Sequence, residues 1–143
     1  MPTTHPRRQF LKNTALGLPL LTSLPFAAAQ QSAPEAAKLK IVCVGGHPDD
    51  PESGCGGTLI LLARAGHEVS ILYLTTGEAG IEGKTHAEAA AIRKQEALDA
   101  CAVIGAKPVF AGQIDGATIA DNEWMQTMQR LIEAEKPDIV FTH

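Results

Sequence analysis

The segment GGHPDDPESGCGG, residues 45–57, concentrates the side chains that do chemistry. His47, Asp49, Asp50 and Glu52 stand close together between glycines, directly after an apolar run. Like charges crowded at the end of a buried strand are costly unless something positive sits among them. Imidazole and carboxylate together suit Zn²⁺, with Fe²⁺ and Co²⁺ as alternatives. His47 and Asp50 are three apart and converge on one ion if the loop turns tightly, and Pro48 restricts the backbone between them. Asp49 lies beside a ligand but points elsewhere, so it can hold an activated water and take its proton. A metal lowers the pKa of such a water towards ~7, where a carboxylate base is effective. Two other readings compete. A phosphate cradle lacks both the G-x-G-x-x-G and the G-x-x-x-x-G-K-[ST] spacing, and three carboxylates repel a phosphate. A solvated turn fits the composition of PDD, but not its place after a buried strand.

That place follows from the elements around it. LKIVCVGG (39–46) reads as a buried strand ended by glycines, CGGTLILLARAGH (55–67) as a helix closing at Gly66, and EVSILYLTTG (68–77) as a second strand. A glycine-rich loop, EAGIEGK, leads to a long helix. Thr85 and Glu88 have the spacing of its capping box, Ala91, Leu98, Cys101 and Ala102 its core face, and Gly105 its end. KPVFAG (107–112) is a third strand. Asp121 caps a third helix with the stripe Trp124, Met125, Met128, Leu131 and Ile132, and Pro137 stops it. DIVFTH (138–143) is a fourth strand. This alternation predicts an α/β fold: a Rossmann-like three-layer sandwich with a mainly parallel sheet in the order 3-2-1-4, truncated after the fourth strand. Ligands bind such sheets in the crevice where the strand order reverses, between strands 1 and 4. His47 and His143 should therefore lie side by side.

The chain has 143 residues, 45% hydrophobic and 20% charged, enough for one small domain. Residues 1–29 differ: Arg7 and Arg8, a short interrupted apolar stretch, then Ala27–Ala29. This order reads as a secretory signal of twin-arginine type, too short to span a bilayer stably, and predicts export to the periplasm or beyond. Residues 30–37 read as a linker, and 38–143 as the domain. Without residues 1–29, 9 Lys+Arg stand against 16 Asp+Glu. An acidic domain with no basic run is a poor partner for nucleic acid or membrane surfaces. Cys43, Cys55 and Cys101 are odd in number and widely spaced, which is no disulfide framework. Cys43 and Cys101 read as small core residues.

GGHPDDPESGCGGTL resembles the signature of the PIG-L/LmbE-like zinc-dependent N-acetylglucosaminyl deacetylases. LTTGEAG, IRKQEALDACAVIGA with its R-x-x-E spacing, GQIDG and PDIVFTH resemble the family's later segments in order. The resemblance implies a hydrolase that removes acyl, typically N-acetyl, groups from amino sugars. It implies His47 and Asp50 as metal ligands, Asp49 as general base on a zinc-bound water, and Glu52 as a supporting acid. Arg93 matches a substrate-side anchor, set against a salt bridge on a solvated helix face. Asp115 matches a pocket aspartate for a sugar hydroxyl, set against a turn residue before Gly116. The family's third ligand comes from an H-x-x-H-type segment beyond the fourth strand. His143 resembles the histidine that closes that strand and is the candidate to approach substrate or stand in as a ligand. The alternative is an inactive fragment or a non-catalytic carbohydrate-binding protein of the same fold. His67 and His86 read as surface residues.

Overall fold

Valine, isoleucine and cysteine between Lys40 and Gly45 favour extended backbone and bury well on both faces of a sheet. In the computed structural model, which describes residues 37–142, they form β1, Lys40–Gly45. The remaining elements are α1 (Asp50–Arg64), β2 (Glu68–Tyr73), α2 (His86–Ile104), β3 (Lys107–Phe110), α3 (Asn122–Glu135) and β4 (Ile139–Phe141). The expected signal segment, nearly all of the linker, and His143 lie outside the described residues.

The four strands form one parallel sheet in the order β3-β2-β1-β4, as the alternation predicts. Lys40 through Gly45 pair with Glu68 through Tyr73, and Cys43 pairs with Phe141. Ile41 and Cys43 of β1, with Val69, Ile71 and Tyr73 of β2, bury one face against Leu59 of α1 and Ala97, Cys101 and Ile104 of α2. Each fully buried large side chain among them contributes about 1.5–3 kcal/mol. The other face meets α3, where Ser70 donates to Glu135 at 2.8 Å. Right-handed crossovers require this division, because the chain changes its direction of growth between β3 and β4.

The caps at Thr85 and Asp121 form as expected. Thr85 and Glu88 exchange hydrogen bonds, and Asp121 accepts from the Trp124 amide at 2.8 Å. Gly105 ends α2 in the left-handed region, at φ 82°. Four expectations need correction, the last of them the surface reading of His67. First, α1 begins at Asp50, inside the stretch read as loop. Pro51 is favourable in a first turn, where no amide is needed, and Glu52 reaches back to the Asp49 amide. Second, the buried row of α2 is Ala89, Ala97, Cys101 and Ile104, while Ala91, Leu98 and Ala102 are exposed. Alanines around most of the helix left its phase undecided, and Arg93 sits on the buried row. Third, the α3 stripe is only half-buried, with Met125 exposed. His67 is half-buried, its Nδ1 accepting from the Leu39 amide at 3.2 Å, whereas His86 is exposed as read.

Candidate active site

β1 delivers the reactive loop at its carboxyl end. Its tight exit requires Gly45: a Cβ there would stand 2.5 Å from the Pro51 ring. The loop is tied to the strand beside it, where the Leu74 and Thr75 amides donate to the Gly45 and Gly46 carbonyls at 2.9 Å. Pro48 is fully buried beneath it.

His47 and Asp50 face each other. His47 Nδ1 lies 3.2 Å from Asp50 Oδ2, and the same oxygen accepts from the His47 amide at 2.8 Å. Two donors bound about 2.0–2.1 Å from one tetrahedral ion stand about 3.3–3.4 Å apart. The pair therefore has the spacing and chemistry of two zinc ligands. His47 Nε2 meets Asp115 Oδ1 at 2.9 Å, and a metal-binding histidine ordinarily gives its second N–H to such a carboxylate. Burial pulls the His47 imidazole down, but hydrogen bonds and charge from Asp115 and Asp50 outweigh it and raise it above its ordinary value. Among the described residues, no group of three or more His, Cys, Asp or Glu is arranged to hold a metal.

Asp49 occupies the left-handed region at φ 94° and ψ −25°, a conformation that costs a non-glycine residue about 1–3 kcal/mol and persists only when its surroundings dictate it. Two residues do so. Glu52 Oε2 accepts the Asp49 amide at 3.1 Å, and the Tyr73 hydroxyl donates to the other Glu52 oxygen. Arg93 Nη2 donates both to the Pro48 carbonyl at 2.6 Å and to Asp49 Oδ2 at 2.7 Å. Arg93 also meets Glu96 at 2.9 Å, and its Asp49 contact raises its own pKa. Its side chain is only 21% exposed, so the solvated-face reading describes the Glu96 contact alone. Gly77, at φ 66°, leaves room for this arrangement, since a Cβ would lie 3.3 Å from Arg93 Nε.

Asp115 is more than a turn residue. Its Oδ1 meets His47, its Oδ2 accepts the Ala79 amide at 3.1 Å, and its own amide donates to Glu78 at 3.0 Å. Glu78 further accepts from the Thr76 hydroxyl at 2.7 Å. Burial pushes the Glu78 carboxyl up, but these hydrogen bonds outweigh it and leave it below its ordinary range. Glu78 and Tyr73 were not singled out by sequence. Tyr73 offered a signal: the chain's single tyrosine closes an apolar strand, and a buried phenol ordinarily finds a partner.

A loop rich in histidine and carboxylates beyond the carboxyl edge of a 3-2-1-4 parallel sheet defines a Rossmann-like α/β protein with its candidate site at the switch point. Within that class the chain belongs to the PIG-L family, described as GlcNAc-PI de-N-acetylase, whose pattern matches residues 42–143. It is 30% identical over 104 residues to the diacetylchitobiose deacetylase of Thermococcus kodakarensis, a match covering 71% of this chain and 39% of that protein. The solved N,N'-diacetylchitobiose deacetylase from Pyrococcus horikoshii superposes with a TM-score of 0.68 at 30% identity, covering 71% of this chain and 40% of that one. GalB of Pseudomonas putida, a 4-carboxy-2-hydroxymuconate hydratase, superposes with a TM-score of 0.67 at 25% identity, covering 73% and 47%. The chain thus spans less than half the length of each.

Proposed function

We propose that this chain carries the base and two metal ligands of a deacetylase for N-acylated amino sugars. The observation that supports this most is Asp49 itself. It is a strained carboxylate, held by Arg93 and Glu52, next to two donors spaced for one ion. The deacetylase relatives supply the substrate class.

His47 and Asp50 would hold the ion, Zn²⁺ by donor chemistry. When bound, it supplies Lewis acidity to the acyl carbonyl and to water. Asp115 keeps the His47 ring oriented through Nε2. Asp49 accepts a proton from the attacking water as the new C–O bond forms. It returns that proton to the amine nitrogen as the C–N bond breaks. Arg93 fixes the direction of its carboxylate. Any sugar hydroxyl reaching Asp115 shares it with His47. Export by a twin-arginine signal in residues 1–29 remains part of this reading, and N-terminal sequencing of the secreted form tests it.

Asp49→Asn in the complete gene product tests the assignment of the base. Asn keeps the size and tolerates the left-handed backbone. Metal content should match the parent, while release of acetate from diacetylchitobiose falls by at least 10²-fold. Deacetylation at the parental rate would remove Asp49 from the role of base.

A further inference from the structure

Cys43 and Cys55 were not expected to act together, yet their sulfurs stand 3.5 Å apart, and both are free thiols. Cys43 lies on β1, two residues before the turn at Gly45, and Cys55 lies in α1. The two cysteines therefore flank the whole reactive loop. α1 is not regular at this point: Cys55 has φ −147° and ψ 16°, outside the helical region. That break brings its sulfur onto the strand.

From this geometry we propose that Cys43 and Cys55 are a redox-active dithiol that closes into a disulfide across the reactive loop. Cys43 is buried and Cys55 half-buried. Both line a cleft of about 160 Å³ shared with Asp50, Pro51, Gly54 and Phe141. A small disulfide therefore reaches Cys55 first. The Cys55 thiolate attacks one sulfur of a disulfide oxidant such as oxidised glutathione, and one glutathione thiolate leaves. Burial, and then the neighbouring Cys55, push the Cys43 thiol up to about 12, so closure is slow at neutral pH and faster in alkali: Cys43 loses its proton, attacks the Cys55 sulfur of the mixed disulfide, and the second glutathione leaves. The protein gives up two electrons and two protons, and the oxidant becomes two thiols. The protein sulfurs must close from 3.5 Å to the ~2.05 Å of a disulfide, a movement on the scale of side-chain rotation. Cys101 takes no part: it sits on α2, with its sulfur 3.5 Å from the Tyr73 hydroxyl.

The bond would join β1 to the break in α1 and close a short covalent ring around His47, Asp49 and Asp50. The proposal stands on the two sulfurs alone and does not depend on the metal or the deacetylase reading. Its test is to treat the full-length protein with oxidised glutathione, unfold it in an alkylating reagent and map its peptides by mass. The expected product is a Cys43–Cys55 linked peptide lighter by two hydrogens, with neither of these two thiols alkylated, Cys101 still alkylated, and both restored by a phosphine reductant. Its Tm should exceed that of the reduced form, and Cys55→Ala should abolish both the link and the Tm difference. Cys101→Ala should retain them. Circular dichroism checks that each variant is folded. Three results would each overturn the proposal: Cys43 and Cys55 both alkylated as free thiols in the folded parent, glutathione remaining on Cys55 as a stable mixed disulfide, or a link through Cys101.

Discussion

Replacing Arg93 separates two roles that the chemistry of a guanidinium allows. If it served substrate, its loss would weaken binding. The structure instead directs its Nη2 at the Pro48 carbonyl and the Asp49 carboxylate, at 2.6 and 2.7 Å. A hydrogen bond to a charged partner contributes about 1.5–3 kcal/mol when both groups are desolvated. Asp49 is 61% exposed, so the ion pair itself is closer to the ~1 kcal/mol of an exposed bridge. The larger effect is orientational. Without Arg93, the Asp49 carboxylate loses that contact while Glu52 holds only its amide, and a misplacement of about 1 Å in a reacting group costs about 10²-fold in rate. In the complete protein, Arg93→Ala should lower kcat by about 10- to 100-fold with KM nearly unchanged, and lower unfolding stability by about 1–2 kcal/mol. Arg93→Lys keeps the charge but not the planar fork, so its kcat should fall between the two. The assays are steady-state acetate release over a range of diacetylchitobiose concentrations, and urea titration. A rise in KM with kcat intact, in both variants, would refute the positioning argument and return Arg93 to the substrate.

Two more expectations come from the supports of the loop. Tyr73→Phe removes the donor to one Glu52 oxygen while leaving the ring stacked on Phe110 and the other oxygen on the Asp49 amide, at a cost of about 1–3 kcal/mol; calorimetry should show a lower Tm together with reduced turnover, and a variant equal to the parent in both would break the Tyr73–Glu52–Asp49 connection. Glu78 is held below its ordinary pKa in the folded protein, so the stability it contributes is complete above the unfolded value of ~4.5 and is lost as pH falls through the folded one. Thermal melts from about pH 7 down to about pH 3 should show Glu78→Gln less stable than the parent at the upper end and the gap closing at the lower end; a gap constant across the range would contradict this.

The caps at Thr85 and Asp121 and the end of α2 at Gly105 were legible because each depends on residues near one another in sequence, and the strand order because the strand–helix alternation and right-handed crossovers leave few arrangements. That His47 and Asp50 would face each other was legible because they stand three residues apart. The start of α1 was not: proline, glycine and aspartate read as loop chemistry, although Pro51 and Glu52 are equally at home in a first turn. The partners of the site were hidden because they are tertiary. Arg93 meets Asp49 and Asp115 meets His47 only after parallel pairing sets the register of the strands, and Cys55 meets Cys43 only once α1 packs on β1. Spacing along the chain does not encode those meetings, though an arginine on the buried row of an alanine-rich helix was a usable hint.

The hydroxyl of Tyr73 carries a wider implication. It rises from the dry interior and ends, through one carboxylate, on the amide of Asp49, whose backbone is left-handed. Warming that loosens the interior around this phenol should blunt the reactive loop before the sheet melts, so inactivation would precede loss of circular dichroism. Anyone engineering a hardier version should therefore reinforce the opposite rim, where Lys107, Glu135 and Ser70 meet, and leave the tyrosine end untouched.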